Sequence, residues 1–332
     1  MGVAMQDDVL GLLRKQTGSY MSGEEMARKL GVSRIAIWKQ IQSLKRHGYD
    51  ISALKKNGYI LRSSPDLMLP AEIKTGLKAK MFCAKIHYFT SIDSTNNYAK
   101  KLAQSGAPEG TLVLAETQTQ GKGRLGRSWF SPVGRSIYFS LILRPDVLPA
   151  YAQRFTLLAG VAVAAAIKKT CGLTVRLKWP NDLVVVNKGS YLKLGGILTE
   201  MAAESDRVNY LVTGIGINVN IDKNEFPADL RSRGTSLKAQ DTHNLPVARV
   251  KLLQQIITEM EHYYKRFLKG DWENIISEYR DFDILVGKTV RIKQGEDIIN
   301  GKVMEIDSEG RLALRSKNQV LRVIAGEVTL QK

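Results

Sequence analysis

"GKGRLGRSWFSP", residues 121–132, packs three glycines and three bases into its first seven positions, then Trp129 and Phe130. Apolar runs rich in β-formers flank it, "TLVLAET" before and "SIYFSLIL" after. The pattern predicts a long loop between strands rather than a strand-to-helix turn. That placement argues against the dinucleotide and P-loop folds. No G-x-G-x-x-G opens a helix here, and no G-x-x-x-x-G-K-[ST] is present. On its own the loop reads as a phosphate cradle, a nucleic-acid patch or a basic surface loop. Its glycines let the backbone approach an anion, and Lys122, Arg124 and Arg127 place charge where phosphate oxygens would lie.

With 332 residues the chain exceeds one ordinary hydrophobic core, so two or three domains are expected. A formal charge of +17 favours an acidic partner: DNA, RNA, a phosphate-rich ligand or an acidic protein surface. Cys83 and Cys171 are far apart, which excludes a disulfide framework or cysteine metal site and suits a reducing, cytoplasmic compartment. Four unclustered histidines argue against a protein-built zinc site. The N-terminal residues lack a signal-peptide core. "LLAGVAVAAAI", residues 157–167, is short for a bilayer span and reads as a buried helix, so no membrane partner is expected.

Residues 1–65 form a separate unit. Val9, Leu10, Leu12 and Leu13 make one helical face, and Ser22 with Glu25 gives a capping-box pattern. After a turn at Gly31–Val32, Ser33 caps a third helix with Ile37, Ile41 and Leu44 at helical spacing and Trp38 beside them. "YDISALKKNGYIL" reads as a hairpin turning at Asn57-Gly58. This is a winged helix-turn-helix pattern, with nine bases and one acid between residues 28 and 62. Ser33, Arg34, Lys39, Gln40 and Ser43 lie where a groove could be read, and Lys55 and Lys56 at the wing tip suit phosphates. The competing reading is a protein-interaction domain with a solvated basic face.

After a proline-marked linker, residues 66–284 predict a mixed α/β domain. Strands are expected at 85–89, 112–117, 137–143, 175–178, 183–186, 196–201 and 208–221, and helices at 96–104, 150–169 and 248–269. They do not alternate regularly, so a largely antiparallel sheet covered by helices fits better than a doubly wound one. Residues 285–332 carry short strands divided by glycine turns, the signature of a small β-barrel, whose Arg311, Arg315 and Arg322 could reach a neighbouring site.

Four further stretches of the middle domain offer donors. "DSTNNYA" places Ser94, Thr95 and Asn96 at a helix start, where capping is the plain alternative. "RLKWPNDLVV" sets Lys178 at a strand end before the turn with Asn181 and Asp182, the latter a carboxylate for a metal or simply a turn former. "LKLGGILTE" puts Lys193 just before Gly195, Gly196 and a new strand. "TGIGINVN" interrupts an apolar strand with Gly214 and Gly216 and ends at Asn218 and Asn220.

"STN", "ETQTQGKGRLGRSW", "KWPNDL", "KLGGIL" and "GIGIN", in this order and spacing, closely resemble the bifunctional biotin–protein ligases that also repress biotin operons. The resemblance runs over nearly the whole chain. It implies a winged helix, a core related to lipoate ligases and class II aminoacyl-tRNA synthetases, and a C-terminal SH3-like barrel. It also implies two steps with biotin and Mg-ATP as substrates. Biotinoyl-5'-AMP forms first; a lysine of the biotin carboxyl carrier domain of acetyl-CoA carboxylase, or of a related carboxylase, then takes the biotinoyl group.

By that resemblance Lys193 contacts the biotin carboxylate and α-phosphate. Arg124 and Arg127 belong to a loop closing over the adenylate, with Gly121, Gly123 and Gly126 enabling closure. Ser94, Thr95, Asn96 and Gln118 surround the ureido ring, Trp129 packs beneath the loop, and Gly196 adjoins Lys193. Lys178 contacts phosphate, Asn181 and Asn218 the nucleotide, and Asp182 Mg²⁺. Lys122 stands where arginine is common and Gly195 where alanine is, both expected to preserve activity, and Leu125 is expected to pack over ligand. The family's adenylate also acts as corepressor, promoting a homodimer that binds operator DNA. "NYLVTGIGINVNI" is the expected dimer edge, with loops 122–125 and 188–192 nearby. The alternatives are a lipoate–protein ligase and a ligand-responsive transcription factor without ligase activity.

Overall fold

The computed structural model describes every residue except Met1, Thr17, Lys55, Lys56, Lys188, Asn318 and Lys332, and only the backbone of residues 2–4 and Asp7. The chain separates into two compact units, Met1–Leu67 and Met68–Lys332.

The first unit carries helices α1 (Gly2–Lys15), α2 (Gly23–Leu30) and α3 (Arg34–Arg46), then strands β1 (Asp50–Leu54) and β2 (Gly58–Ser63) paired antiparallel. Local chemistry sets the boundaries. The Ser22 hydroxyl accepts from Glu25 N–H and the Ser33 hydroxyl from Ala36 N–H, while Gly31 closes α2 in the left-handed conformation. Val9, Leu10, Leu13, Met26, Ile37, Ile41 and Leu44 are buried. Gly58 has φ +103°, and a Cβ there would lie 2.0 Å from the Met21 carbonyl oxygen, so the wing turn needs glycine.

The second unit is built on a seven-stranded sheet. Its strands are β3 (Ile86–Phe89), β4 (Leu112–Ala115), β5 (Ser136–Leu143), β6 (Arg176–Lys178), β7 (Asp182–Asn187), β8 (Ser190–Ala203) and β9 (Val208–Asn218). Their order is β3-β4-β5-β9-β8-β7-β6, and only β3–β4 is parallel. This is the mainly antiparallel mixed sheet expected. The helices are α4 (Pro70–Lys74), α5 (Thr95–Gln104), α6 (Ala152–Cys171), α7 (Leu237–Gln240), α8 (Arg249–Leu268) and α9 (Trp272–Phe282).

Alternation along β5 assigns the faces. Ile137, Phe139, Leu141 and Leu143 join the core of α6, α8 and α9, whereas Ser140 and Ile142 face α5. The apolar run 157–167 lies inside α6, which is long and apolar enough to cross a membrane by length and composition, but most of that stretch is buried in the core.

Strand β9 is not the sheet edge expected of it. It pairs with β5 along Ser136–Leu143 and with β8 along Gly195–Ala203, which leaves it no free side. An alternating apolar strand with glycines reads the same from sequence whether central or at an edge. Strand β8 also begins at Ser190, ahead of the glycine pair, so Lys193 lies within it rather than before it.

The C-terminal segment forms β10 (Thr289–Gln294), β11 (Asp297–Ile306), β12 (Leu312–Ser316), β13 (Gln319–Val323) and β14 (Glu327–Leu330). They make a five-stranded antiparallel sheet in the order β13-β12-β11-β10-β14. Its inner face, including Val290, Ile292, Val303 and Leu314, continues the main core. The turn after β11 plugs into that core: Trp179 Nε1 and Gln153 Nε2 donate to Gly310 O, and Trp272 Nε1 to Ser308 O. Gly310 has φ +80°, and a Cβ would sit 2.6 Å from Leu157, so only glycine fits.

Asp283 joins the two parts of this unit. One carboxylate oxygen accepts from Leu285 N–H and Val286 N–H, while the other is buried without a hydrogen-bond partner. Burial pushes its carboxyl from an ordinary 3.8 up to about 6, against those backbone bonds. The raised value means that the folded chain holds the proton more tightly than the unfolded chain. Asp283 therefore costs stability as pH rises from about 4 through 6. Asp283→Asn should add about 1–2 kcal/mol at pH 7.5, an advantage that fades towards pH 4 in urea titrations.

Candidate active site

The site lies on the α5 face of the sheet, and its floor is set by register. Ser140 of β5, Gly214 of β9 and Leu198 of β8 stand opposite one another in one row. Tyr138, Gly216, Gly196 and Asp182 form the next. The glycines keep this floor low. A Cβ on Gly214 would lie 1.9 Å from Asn96 Oδ1, and one on Gly216 would lie 2.7 Å from Trp129 Nε1. Gly214→Ala should therefore weaken binding of the pocket's ligand, by calorimetry, about 10–100-fold for an overpacking cost of about 1–3 kcal/mol. Gly195 is equally tight, with its Cβ position 2.8 Å from Gly216 O. Alanine would not fit this backbone unchanged.

The start of α5 closes one end. Ser94 occupies the N-cap position but makes no capping bond, so the plain capping reading fails for it. Gln118 acts instead: its Oε1 accepts Thr95 N–H at 2.9 Å and lies 3.1 Å from the Thr95 hydroxyl. Asn96 is buried and donates to Leu198 O and Glu200.

The basic loop folds over this floor. Gly123 N–H donates to Arg127 O, Arg127 N–H to Arg124 O and Trp129 N–H to Gly121 O. Leu125 takes left-handed angles, φ +54°, and is 72% exposed rather than packed. Lys122 reaches back to Asn97 Oδ1 at 2.6 Å. Arg124 donates to Asn181 Oδ1 and to Gly326 O, and Arg127 pairs with Glu327, so both arginines touch the C-terminal sheet.

Lys193 stands in the middle. A bulge between the Leu183–Gly195 and Val184–Lys193 pairs re-aims it, placing Nζ 2.7 Å from Asp182 and 5.4 Å from the Trp129 ring centre. Lys178 lies beside it, its pKa lowered by burial and by Lys193 and Arg127 against the pull of Asp182 and Glu327. Such crowding of cations in a half-buried cleft favours an anion.

Two residues expected to contact the nucleotide, Asn181 and Asn218, line the cavities and also hold their walls. Asn181 ties β8 through its Nδ2 to Ile197 O, and Asn218 donates to Thr235 O, so both brace the walls. Asp182 is paired with Lys193, and among the described residues no group of three His, Cys, Asp or Glu could hold a metal.

The cavity lined by Ser94, Gln118, Arg124, Trp129 and Lys193 opens into a wider cleft bounded by Tyr191, Phe226, Arg233 and Lys288. Arg311 and Arg322 do not reach it; both pair with Asp307. Nor does Arg315 line either cavity. The C-terminal sheet instead supplies Gly326, Glu327 and Val328, which sequence reading missed because "AGEVTL" resembles any strand start.

On α3, Arg34 and Lys39 are exposed and Gln40 is half-buried, while the Ser33 side chain is spent on its cap. Ser43 is tied to α1 by Gln6 and does not belong to the open face. That face instead carries Ile35 and Trp38, 67% and 52% exposed, although Trp38 read as neighbouring the buried stripe. Lys55 and Lys56 lie outside the described residues.

A half-open cavity edged by buried polar side chains, beside a basic glycine loop, suits an enzyme that activates a small acid, and the same chain carries a winged helix. The Biotin/lipoate A/B protein ligase family matches residues 88–218, an HTH domain 6–60 and the biotin protein ligase C-terminal domain 285–330. The bifunctional ligase/repressor BirA of Bacillus subtilis (strain 168) is 34% identical over 99% of this chain and all of its own. That of Escherichia coli (strain K12) is 30% identical over 95% of this chain and 94% of its own. The biotin protein ligase of Aquifex aeolicus in complex with biotin and ATP superposes with a TM-score of 0.62 and 25% identity. It covers 75% of this chain and 99% of its own. The chain belongs to the biotin protein ligase family, in its bifunctional ligase/repressor branch.

Proposed function

We propose that this protein joins biotin to a specific lysine of a biotin carrier protein at the expense of ATP, and represses biotin genes. The observation that carries the reading is Lys193, held by Asp182 and Trp129 where the buried pocket meets the basic cleft. A carboxylate bound in the pocket would meet the α-phosphate there. Its oxygen attacks the α-phosphorus, the α–β bridging P–O bond breaks and pyrophosphate leaves. The carrier amine then attacks the acyl carbon of biotinoyl-AMP, AMP departs, and the amine loses a proton. Lys193, Arg124, Lys178 and Arg127 are fixed cations for charge that develops on the phosphoryl oxygens. Ser94, Thr95 and Gln118 hold the ring, Asn96 braces them from below, and the loop 121–128 excludes water from the anhydride. Mg²⁺ brought by ATP would be held by Asp182 as its one carboxylate, and would neutralise phosphate charge there.

The test is biotin-dependent exchange of labelled pyrophosphate into ATP, run beside lipoate. Exchange with biotin alone supports the reading; exchange with lipoate alone would replace it with the lipoate-ligase alternative. A protein that binds operator DNA but exchanges neither acid would be a ligand-responsive regulator.

The finer assignments belong to the same proposal. The chain divides into residues 1–65, 66–284 and 285–332, the last closing as an SH3-like barrel, and works in the cytoplasm. Arg34, Lys39 and Gln40 of α3 read operator DNA, with Lys55 and Lys56 on phosphates. Biotinoyl-AMP is the corepressor and promotes a homodimer by binding it better than the monomer. The side of β8 from residue 197 to 203 that faces away from β9 pairs with no strand among the described residues, and it replaces β9 as the dimer edge.

A further inference from the structure

Beneath the pocket runs a chain of buried and half-buried polar groups whose proton directions can be worked out from their partners. Both amide protons of Asn96 are committed, one to Leu198 O at 3.2 Å and one to Glu200 Oε2 at 2.8 Å. Leu198 O cannot donate. Neither can Glu200 while ionised; its other oxygen accepts from Lys100 at 2.8 Å. Burial opposes that charge, but the bonds from Lys100 and Asn96 outweigh it and hold the carboxyl below its ordinary range. Asn96 Oδ1 therefore points at Ser140 Oγ, 2.6 Å away, and can only accept.

The single Ser140 proton goes to Asn96. Ser140 Oγ also lies 2.8 Å from Thr95 Oγ1, a contact that would set lone pair against lone pair unless Thr95 donates. Of the two acceptors within reach, the Thr95 proton goes to Ser140 Oγ at 2.8 Å rather than to Gln118 Oε1 at 3.1 Å, which already accepts Thr95 N–H. Thr95 Oγ1 is left with lone pairs and no proton for the cavity it lines.

We infer that Glu200 and Ser140 are positioning residues: they direct the chain Thr95→Ser140→Asn96→Glu200 and so make the Thr95 hydroxyl a hydrogen-bond acceptor for a ring N–H of the ligand. The inference rests on the proposed binding of biotin, whose cyclic urea carries two such N–H groups. It also supplies a reason for rejecting a ring that has none, because the acceptor would then be buried unpaired. Neither residue touches the ligand in this scheme, so its signature is discrimination rather than loss of activity alone.

The experiment is calorimetric titration of wild type, Ser140→Ala, Glu200→Leu and Glu200→Gln with biotin and with each of the two mono-N-methyl biotins. ATP binding serves as the control for an intact site. Wild type should bind at least one methylated biotin about 100-fold more weakly than biotin, as expected when a donor is lost opposite a buried acceptor. Ser140→Ala and Glu200→Leu free the Thr95 proton to rotate and should shrink that ratio to about 10-fold or less. Glu200→Gln keeps the ratio, since its amide oxygen can still face Asn96.

An unchanged ratio in Ser140→Ala and Glu200→Leu, or equal loss in Glu200→Gln and Glu200→Leu, overturns the inference. So does a wild type that binds biotin without discriminating the methylated forms. A wild type that binds no biotin would instead defeat the functional reading beneath it. Should Ser140→Ala not fold, Glu200→Leu decides, because Glu200 is 27% exposed and tolerates an apolar side chain.

Discussion

Lys193→Ala is expected to lower biotin-dependent pyrophosphate exchange by about 10²–10³-fold, the range for removing one fixed donor from a developing oxyanion. Geometry makes the loss specific. The bulge in β8 sets Lys193 between Asp182 and the Trp129 ring, a place that neither loop arginine takes. Arg124 is held by Asn181 and Gly326, and Arg127 by Glu327. Alanine also strands Asp182, so Lys193→Ala/Asp182→Asn separates the lost cation from the unpaired carboxylate. If Lys193 acts on charge at phosphorus, the second half-reaction, started from supplied biotinoyl-AMP, should fall far less than the first. An equal fall in both would move Lys193 from the transition state to simple retention of the adenylate.

Why Lys193 could be found from sequence and Glu200 could not is a matter of what neighbours a residue in space. Gly196, Gly214 and Gly216 stand out because glycines inside apolar strands need a reason, and the floor beneath Asn96 and Trp129 supplies it, whereas Lys193 is singled out by the resemblance that "KLGGIL" carries. The mainly antiparallel sheet was legible from strands that failed to alternate with helices. Central or edge position was not, since a glycine-interrupted apolar strand obeys the same period in both places, and β9 proved central. Glu200 sits in "TEMAAES" like any surface acid, and only the β8–β9 register brings it under Asn96. Arg311, Arg315 and Arg322 mislead for the converse reason: charge is visible in sequence but its direction is not, and two of them are consumed by Asp307.

Arg249→Met is expected to cost the second unit about 3–5 kcal/mol, the range for breaking one side of a buried ion pair. Arg249 and Glu116 are almost fully buried at 2.7 Å. Glu116 also accepts Met68 N–H, and Arg249 donates to Ser136 O. Gly134 N–H bonds to Glu116 O as well. These bonds clamp both ends of the segment carrying Gln118, the basic loop and Trp129, so lost stability should appear together with weakened biotin binding. In a unit of 265 residues the melting temperature should fall by about 10 °C. Glu116→Leu should cost a similar amount because it strands the guanidinium instead. The double variant Glu116→Leu/Arg249→Met leaves neither charge uncompensated and should recover part of the loss, a favourable coupling of 1 kcal/mol or more by order of magnitude. Additive losses would show that the two side chains act through their other hydrogen bonds, to Met68 N–H and Ser136 O, rather than through each other.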